Sequence, residues 1–235
     1  IGKCQPILTH MLKGMLVDKN PMLDNPVQGK QLTIIYQDND IVVVNKPAEF
    51  LSVPGKNIHD SVHTRIQQLF PHASGGIIVH RLDMSTSGLM VLALHSRAHK
   101  ALQKQFINRE VQKRYIAIIS GELSQTSGTI TLPLRGDLHD RPRQLVCYEH
   151  GKNAETTWQL ISTTAKQSRL YLLPKTGRTH QLRVHCAHIN GLNSPIVGDD
   201  LYGKKAERLH LHAESLEFNH PITRDKMHFQ CDADF

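Results

Sequence analysis

The 235-residue sequence contains no long apolar run, and its longest runs, Ile41–Val44 and Leu89–Leu94, have only the length of strands. About 20 consecutive apolar residues are needed to cross a bilayer, so we expect no membrane-spanning helix. The start of the chain also lacks the basic, apolar and small-residue order of a signal peptide. It begins at Ile1 rather than at methionine. We therefore expect residues 1–30 to be an N-terminal extension that remains from a longer protein.

Cysteine is scarce, and the four that occur are far apart: Cys4, Cys147, Cys186 and Cys231. No CxxC pair is present, which argues against a zinc site and against a thioredoxin-type redox pair. We expect free thiols in a reducing compartment, hence a cytoplasmic protein. The sequence has 16 histidines, a number at which HxH spacings arise by chance, and we expect no metal.

Aromatic residues are also few, with six Phe, five Tyr and one Trp, so a broad stacking platform for single strands is not expected. Cations are in excess, because 28 Lys and Arg face 21 Asp and Glu and give a net charge of +7. Such a balance favours a polyanionic partner, since Lys and Arg gain free energy by displacing the counterions condensed on phosphates.

No internal repeat, low-complexity tract or regular βαβ alternation is visible. Many short β-rich runs and few helices predict an α+β fold, with a largely antiparallel mixed sheet and flanking helices. We expect three helices: one capped by Asp60, one capped by Ser96 with a basic outer face, and one from His180 to Ile189. The predicted strands are Leu32–Tyr36, Ile41–Asn45, Gly88–Leu94, Tyr115–Ser120, Thr129–Leu132, Glu155–Ser162, Arg169–Leu173, Leu211–Phe218 and Met227–Cys231.

The most informative segment is His80-Arg81-Leu82-Asp83-Met84-Ser85-Thr86-Ser87-Gly88. It places an acid beside an arginine, among small hydroxyl residues, immediately before a buried strand. Loops at sheet edges commonly hold catalytic groups. On spacing alone, an ordinary capping Asp with a surface Arg is the better explanation of the segment.

A second segment, Lys175-Thr176-Gly177-Arg178-Thr179-His180-Gln181-Leu182-Arg183-Val184-His185, concentrates basic side chains at the start of a predicted helix. A helix N-terminus with added guanidinium groups favours an anion, either a phosphate or a neighbouring carboxylate. An exposed basic helix end is the alternative.

Together these segments resemble the RluA family of pseudouridine synthases, and the resemblance extends over residues 32–235. Within that family, Leu51–Gly55 and Arg141–Glu149 resemble the members that act on both large-subunit ribosomal RNA and a tRNA anticodon stem-loop. Further motifs occur in the family's order: Val44–Pro47, Lys113–Tyr115, Gly177–His185, Pro195–Asp199 and Leu211–Ala213.

The resemblance implies that Asp83 is the catalytic carboxylate and that residues 31–235 form a pseudouridine synthase catalytic domain. Asp83 would attack the sugar, attack the base or deprotonate the sugar, and the resemblance does not distinguish these steps. Arg183 matches the family's basic partner, which would offset the desolvation of the carboxylate. Tyr115 matches the tyrosine that stacks on uracil and can move a proton at C5.

The resemblance also assigns three residues to substrate binding. Leu211 matches the apolar residue that closes the pocket, and His80 belongs to the signature loop. Arg81 matches the residue that fills the stack when the target nucleotide is flipped out. No cofactor or metal is implied, the partner is RNA, and we expect a monomer.

Three alternatives remain open. A synthase of the same family that acts on tRNA alone would carry the same motifs. A non-catalytic RNA-binding module would explain the charge, although it would not need Asp83, Tyr115 and Arg183 together. A glycosidase would need a second carboxylate, which the signature loop does not offer.

Overall fold

The computed structural model describes residues 4–6 and 31–235. The helices are α1 (Val62–Leu69), α2 (Ser96–Ile107) and α3 (Gln181–Ala187). The strands are β1 (Cys4–Pro6), β2 (Thr33–Gln37), β3 (Ile41–Lys46), β4 (Ser87–Ala93), β5 (Gln112–Ser120), β6 (Ser127–Thr131), β7 (Leu134–Gly136), β8 (Gln144–Val146), β9 (Glu155–Thr163), β10 (Gln167–Pro174), β11 (Leu211–Asn219) and β12 (Lys226–Cys231).

The chain divides into two compact units, residues 1–112 with 213–234 and residues 113–212 with 235. In the first unit the strand order is β2-β3-β4-β11, and β12 continues it from β11 to β1. The β2–β3, β3–β4, β11–β12 and β1–β12 pairs are antiparallel. One core, which includes Val43, Val91, Leu102, Phe218 and Phe229, lies between these strands and α2.

The second unit contains the strand order β5-β10-β9-β6, in which every pair is antiparallel. Strands β7 and β8 form a separate antiparallel pair. The core of the second unit lies between its sheet and α3 and includes Trp158, Leu170, Leu172, Leu182 and Leu211. The predicted α+β class with a largely antiparallel sheet and flanking helices is confirmed.

Two helix starts differ from prediction by one residue. Ser61 rather than Asp60 caps α1, because its hydroxyl accepts from the Thr64 amide while Asp60 binds Arg65. His95 rather than Ser96 caps α2, with its ring Nδ1 accepting from the Ala98 amide. The side chain that reaches the free amides of the first turn decides the cap in each case.

The boundaries of the predicted strands hold within a few residues, but the short pair β7 and β8 was not predicted. The predicted extension over residues 1–30 lies outside the described residues except for β1 at 4–6. The single catalytic domain predicted over residues 31–235 stays a prediction.

The expectation of free cysteines is wrong for Cys231, which is disulfide-bonded. In the backbone register of β1 and β12, Cys231 lies opposite Cys4, a proximity that 227 residues of separation conceal in the sequence. Cys147 and Cys186 are free. No helix in the described part of the chain is long and apolar enough to cross a membrane.

Candidate active site

The loop before β4 is fixed through its backbone on both sides of Asp83. The Ser52 hydroxyl donates to the Leu82 carbonyl at 2.7 Å and accepts from the Leu82 amide at 3.1 Å. On the other side, the ammonium of Lys46 donates to the Met84 carbonyl at 3.0 Å. Lys46 is fully buried, and its ammonium also donates to the carbonyls of Pro47 and Phe50, at 2.8 and 2.7 Å. These contacts fix the backbone of the residues before and after Asp83.

These backbone contacts do not involve the side chain of Asp83. It is half-buried, and within the described residues of its own unit the carboxylate has no hydrogen-bond or ion-pair partner. Its backbone carbonyl accepts from the Thr86 amide at 3.1 Å. An anchored loop that presents a free carboxylate is an arrangement that suits a nucleophile or a base.

The two basic residues before Asp83 differ in their surroundings. The His80 ring stacks on Phe106 of α2, with centroids 4.7 Å apart, and its Nε2 accepts from the Val91 amide at 3.1 Å. These contacts position the loop, and substrate binding by His80 stays a prediction. Arg81 is exposed, and the described residues of its unit offer its guanidinium no hydrogen-bond or ion-pair partner.

In the second unit, the structure brings Tyr115 and Leu211 together. Tyr115 lies on β5 opposite Leu172 of β10 and is half-buried. Its side chain packs against the same apolar cluster that contains Leu211 and Leu182. Leu211 is buried, and its role in closing a substrate pocket stays a prediction.

Arg183 is held by two carboxylates at the start of α3. Its Nε and one terminal nitrogen donate to the two oxygens of Asp199 at 2.9 and 2.7 Å, a bidentate pair. The same terminal nitrogen reaches Asp200 at 2.9 Å, and the guanidinium carbon lies 5.4 Å from the Tyr202 ring centroid. Arg183 and Asp199 are both buried, whereas Asp200 is exposed. The predicted pairing of Arg183 with Asp83 stays a prediction.

The residues that precede α3 form a hydrogen-bonded turn. His180 adopts the left-handed conformation (φ 52°), and its Nδ1 lies 2.8 Å from the Tyr202 hydroxyl. Tyr202 in turn accepts from the Gln144 amide, while Arg178 donates through Nε to the Asn153 carbonyl. These contacts connect the basic segment to β8 and to the loop that carries Asp199.

His185, the other histidine of that segment, is part of the core. It is fully buried, and its Nε2 donates to the Leu132 carbonyl at 3.2 Å. Its Nδ1 lies 3.0 Å from the Thr156 hydroxyl. Burial lowers the pKa of His185, which favours the neutral ring and a structural role rather than anion binding.

One group among the described residues has the composition of a metal site, namely Asp38, Asp40 and His220. Its atoms are already engaged. Asp38 accepts from the Tyr36 hydroxyl, from His220 Nε2 and from the amides of Asp40 and Ile41. Hydrogen bonding accounts for this group, and we assign no metal to it.

Sequence reasoning missed three residues that shape the site. Lys46 and Asp199 lie in motifs that carried the resemblance, yet neither was given a role. Ser52, within Leu51–Gly55, was not recognised as the anchor of Leu82. Motif membership was the available signal, but their partners lie 16 to 38 residues away.

Comparison of the sequence with known proteins identifies its relatives. Residues 40–188 match the RNA pseudouridylate synthase family. The dual-specificity RNA pseudouridine synthase RluA of Yersinia pestis is 48% identical over 212 residues, covering 87% of this chain and all of the relative. The protein of the same name from Escherichia coli K12 is 46% identical over 219 residues, covering 90% of this chain and 97% of the relative.

Solved structures give the same result. Human RNA pseudouridylate synthase domain containing 1 aligns with a TM-score of 0.72 at 29% identity, covering 89% of this chain and 86% of that protein. Human RNA pseudouridylate synthase domain containing 4 aligns with a TM-score of 0.69 at 27% identity, covering 85% and 88%. The chain therefore belongs to the RNA pseudouridylate synthase family, whose members are isomerases that convert uridine to pseudouridine in RNA.

Proposed function

We propose that this enzyme isomerises uridines in both large-subunit ribosomal RNA and a tRNA anticodon stem-loop, with Asp83 as its catalytic residue. The relatives named for dual specificity support the choice of both RNA classes. The observation that carries the catalytic assignment is the half-buried Asp83 carboxylate, unpartnered within its unit, between two peptides that Ser52 and Lys46 fix.

The isomerisation breaks the bond from N1 of uracil to C1′ of the ribose and forms a bond from C5 to C1′. A proton leaves C5 and N1 gains one, so neither a redox partner nor an energy source is needed. Asp83 starts this sequence by attack or by proton removal. The phenol of Tyr115 provides a flat face for the detached uracil and an oxygen that can carry the C5 proton.

Arg183 supplies positive charge in a buried setting, with its plane fixed by Asp199. Its pairing with Asp83 during catalysis would stabilise the ionised carboxylate. Leu211 lines the apolar wall against which Tyr115 packs. Residues 31–235 act together as a monomeric catalytic domain in the cytoplasm, without a cofactor or metal.

The target nucleotide must leave its helix to be reached, and Arg81 is suited to take its place in the stack. A planar guanidinium can stack and donate hydrogen bonds at once, and Arg81 is exposed with no competing partner in its unit. We expect Arg81→Ala to lose most turnover while filter binding of the RNA stays within a few-fold of wild type. Unchanged turnover would remove Arg81 from this role.

The decisive experiment follows tritium release from RNA labelled at C5 of uridine. Wild-type protein should release tritium from both a ribosomal and a tRNA anticodon stem-loop transcript. Asp83→Asn should reduce the rate at least about 1,000-fold, because an amide can neither attack nor accept the proton. Asp232→Asn, at an exposed carboxylate near the C-terminus, is the matched control and should keep full activity.

The outcomes separate the alternatives. Release from the tRNA transcript alone would establish the narrower tRNA-specific enzyme. Binding of both RNAs without release by the wild-type protein would leave only an RNA-binding module.

A further inference from the structure

Lys113 is a mostly buried cation on the strand that carries Tyr115. It occupies the second position of β5, two residues before Tyr115. Side chains at positions i and i+2 of a strand point to the same face of the sheet. Lys113 therefore projects on the face where Tyr115 packs beside Leu211 and Leu182.

The Lys113 ammonium has no counter-charge in its surroundings. Among the described residues it makes no hydrogen bond or ion pair. Burial is the sole cause that lowers its pKa, to about 8, so no carboxylate offsets the cost of placing this charge there. A lysine that is mostly removed from water and has no partner is unusual in a folded protein, and its position suits an anionic ligand.

The charged groups on neighbouring segments are occupied with one another. Lys175 pairs with Glu155 at 3.1 Å, Arg178 donates to a backbone carbonyl, and Arg183 is held by Asp199. None of these carboxylates is available to Lys113. The ammonium of Lys113 is therefore a positive charge that none of these ion pairs balances.

The ammonium lies beside the turn that precedes α3. Gly177 faces Lys113 with no side chain, and a Cβ built on Gly177 would lie 3.9 Å from Nζ of Lys113. No other heavy atom outside the neighbouring residues lies within 4 Å of that Cβ position, so the side-chain position of this glycine is open beside the ammonium. A phosphate oxygen that enters there could accept a hydrogen bond from Nζ.

We propose that Lys113 binds an RNA phosphate that flanks the uridine undergoing isomerisation. The inference rests on the proposed function, because Tyr115 marks the position of the uracil. Lys113 binds substrate through charge and takes no part in bond making. The bound phosphate is the negative counter-charge for the Lys113 ammonium.

The first test compares affinity for the anticodon stem-loop transcript by filter binding, together with KM and kcat. Lys113→Gln should weaken binding about 10- to 100-fold at pH 7, the usual range for losing a hydrogen bond to a charged group, with kcat little changed. Lys166→Gln removes an exposed lysine from the β9–β10 turn and is the matched control, with affinity within about twofold of wild type.

A chemical variant of the RNA identifies the contact. A methylphosphonate on the 5′ or the 3′ side of the target uridine removes one phosphate charge at a time. At the contacted position it should weaken binding to wild type as much as Lys113→Gln does, and should not weaken binding to Lys113→Gln further. Additive losses at both positions would overturn the proposal.

The pH dependence offers a second criterion. Binding of a phosphate favours the charged lysine, so wild-type affinity should fall as pH rises above 8, approaching about tenfold per pH unit. Lys113→Arg stays charged throughout and should not show this loss between about pH 7 and about pH 9. An equal slope in Lys113→Arg would contradict the assignment.

Thermal unfolding excludes a purely structural explanation. An unpaired buried ammonium destabilises the folded state, so Lys113→Met should keep or raise the melting temperature while it weakens RNA binding. A lowered melting temperature with unchanged RNA affinity would overturn the proposal. Affinity is measured without turnover, so absence of tritium release would count against the proposed function and not against Lys113.

Discussion

Each side chain proposed for chemistry depends on neighbours that have no chemical role of their own. Asp83 is presented by Ser52 and Lys46, which bind the peptides on either side of it. Arg183 is oriented by Asp199, whose oxygens also accept from the amides of Leu201 and Tyr202. Preorganisation of this kind reduces the rearrangement needed when the substrate arrives.

Asp199 should therefore act as a positioning residue for Arg183. Asp199→Asn keeps one oxygen but ends the bidentate ion pair, so we expect kcat to fall by about 100-fold. KM for RNA should stay nearly unchanged, since Asp199 is fully buried. Steady-state tritium-release kinetics measure both constants.

Asp200→Asn is the comparison, because Asp200 contacts the same guanidinium while more than half of its side chain is exposed. It should lower kcat only a few-fold. Asp199→Ala removes one partner of the buried Arg183–Asp199 ion pair and should lower the free energy of unfolding by roughly 3–5 kcal/mol. The activity of the Asp199 variants is therefore measured well below their melting temperature. Equal kcat values for wild type and a folded Asp199→Asn would refute a positioning role.

At the residue scale the sequence could identify Asp83, Tyr115, Arg183 and Leu211 as candidates, because they occur in ordered motifs. It could not identify partners, since the Lys46–Met84 and Ser52–Leu82 contacts join segments 38 and 30 residues apart. The burial of Lys113 is likewise a tertiary property, which no local pattern around Lys113-Arg114-Tyr115 indicates.

At the scale of elements, the long strands were predictable because each has a run of β-branched or apolar residues. Strands β7 and β8 were missed because each is three residues long and carries no alternating pattern. Helix caps were misplaced by one residue, since Asp60 is committed to Arg65 and cannot cap α1. Competition between tertiary and local partners decides such boundaries.

Gly88 is the second residue of β4, just after the Asp83 loop, and has a backbone conformation that favours glycine. Its φ is +119°, and a Cβ there would lie 2.7 Å from the Cα of Ala213 and closer still to that residue's backbone N and O. Gly88→Ala should therefore lower the free energy of unfolding by roughly 2–5 kcal/mol through strain and overlap. It should also displace the Asp83 loop and reduce turnover.

Urea unfolding and tritium release on the same preparation measure both effects. Gly136→Ala, at the exposed last residue of β7, is the control, because the nearest side-chain atom to its added Cβ would be 3.8 Å away. A Gly88→Ala protein as stable as Gly136→Ala would show that β11 can move away from β4 at little cost.

At the scale of the whole molecule, different charged groups serve substrate binding and stability. The net charge of +7 favours RNA, while buried carboxylates such as Asp199 are used to hold arginine. Of the overall architecture, the α+β class and antiparallel sheet were accessible from the sequence. The division into two units was not, because it depends on the return of β11 and β12 to residues 1–112.

The network around Asp38 predicts how the whole protein responds to acid. Burial by itself raises the pKa of Asp38, but hydrogen bonds from His220, the Ile41 amide and Tyr36 outweigh it and lower the pKa from 3.8 to about 2. Because the folded pKa lies below the unfolded one, the stabilisation is complete above about pH 4 and is lost as pH falls through about 2. The difference corresponds to about 2 kcal/mol of unfolding free energy.

Urea unfolding of wild type and Asp38→Asn from pH 7 down to pH 2 tests this contribution. Asp38→Asn should be less stable by at least that amount at pH 7. One oxygen of Asp38 accepts from Tyr36 and His220, and the other accepts from two backbone amides. An asparagine side chain has a single oxygen and cannot accept all four hydrogen bonds. The difference in unfolding free energy between the two proteins should narrow as pH falls towards 2. Wild type then loses the stabilisation from the ionised Asp38 carboxylate, which the variant lacks at every pH. Asp232→Asn, an exposed carboxylate, should follow the wild-type curve throughout. A gap that stays constant over this range would mean that the Asp38 network contributes through packing and not through charge.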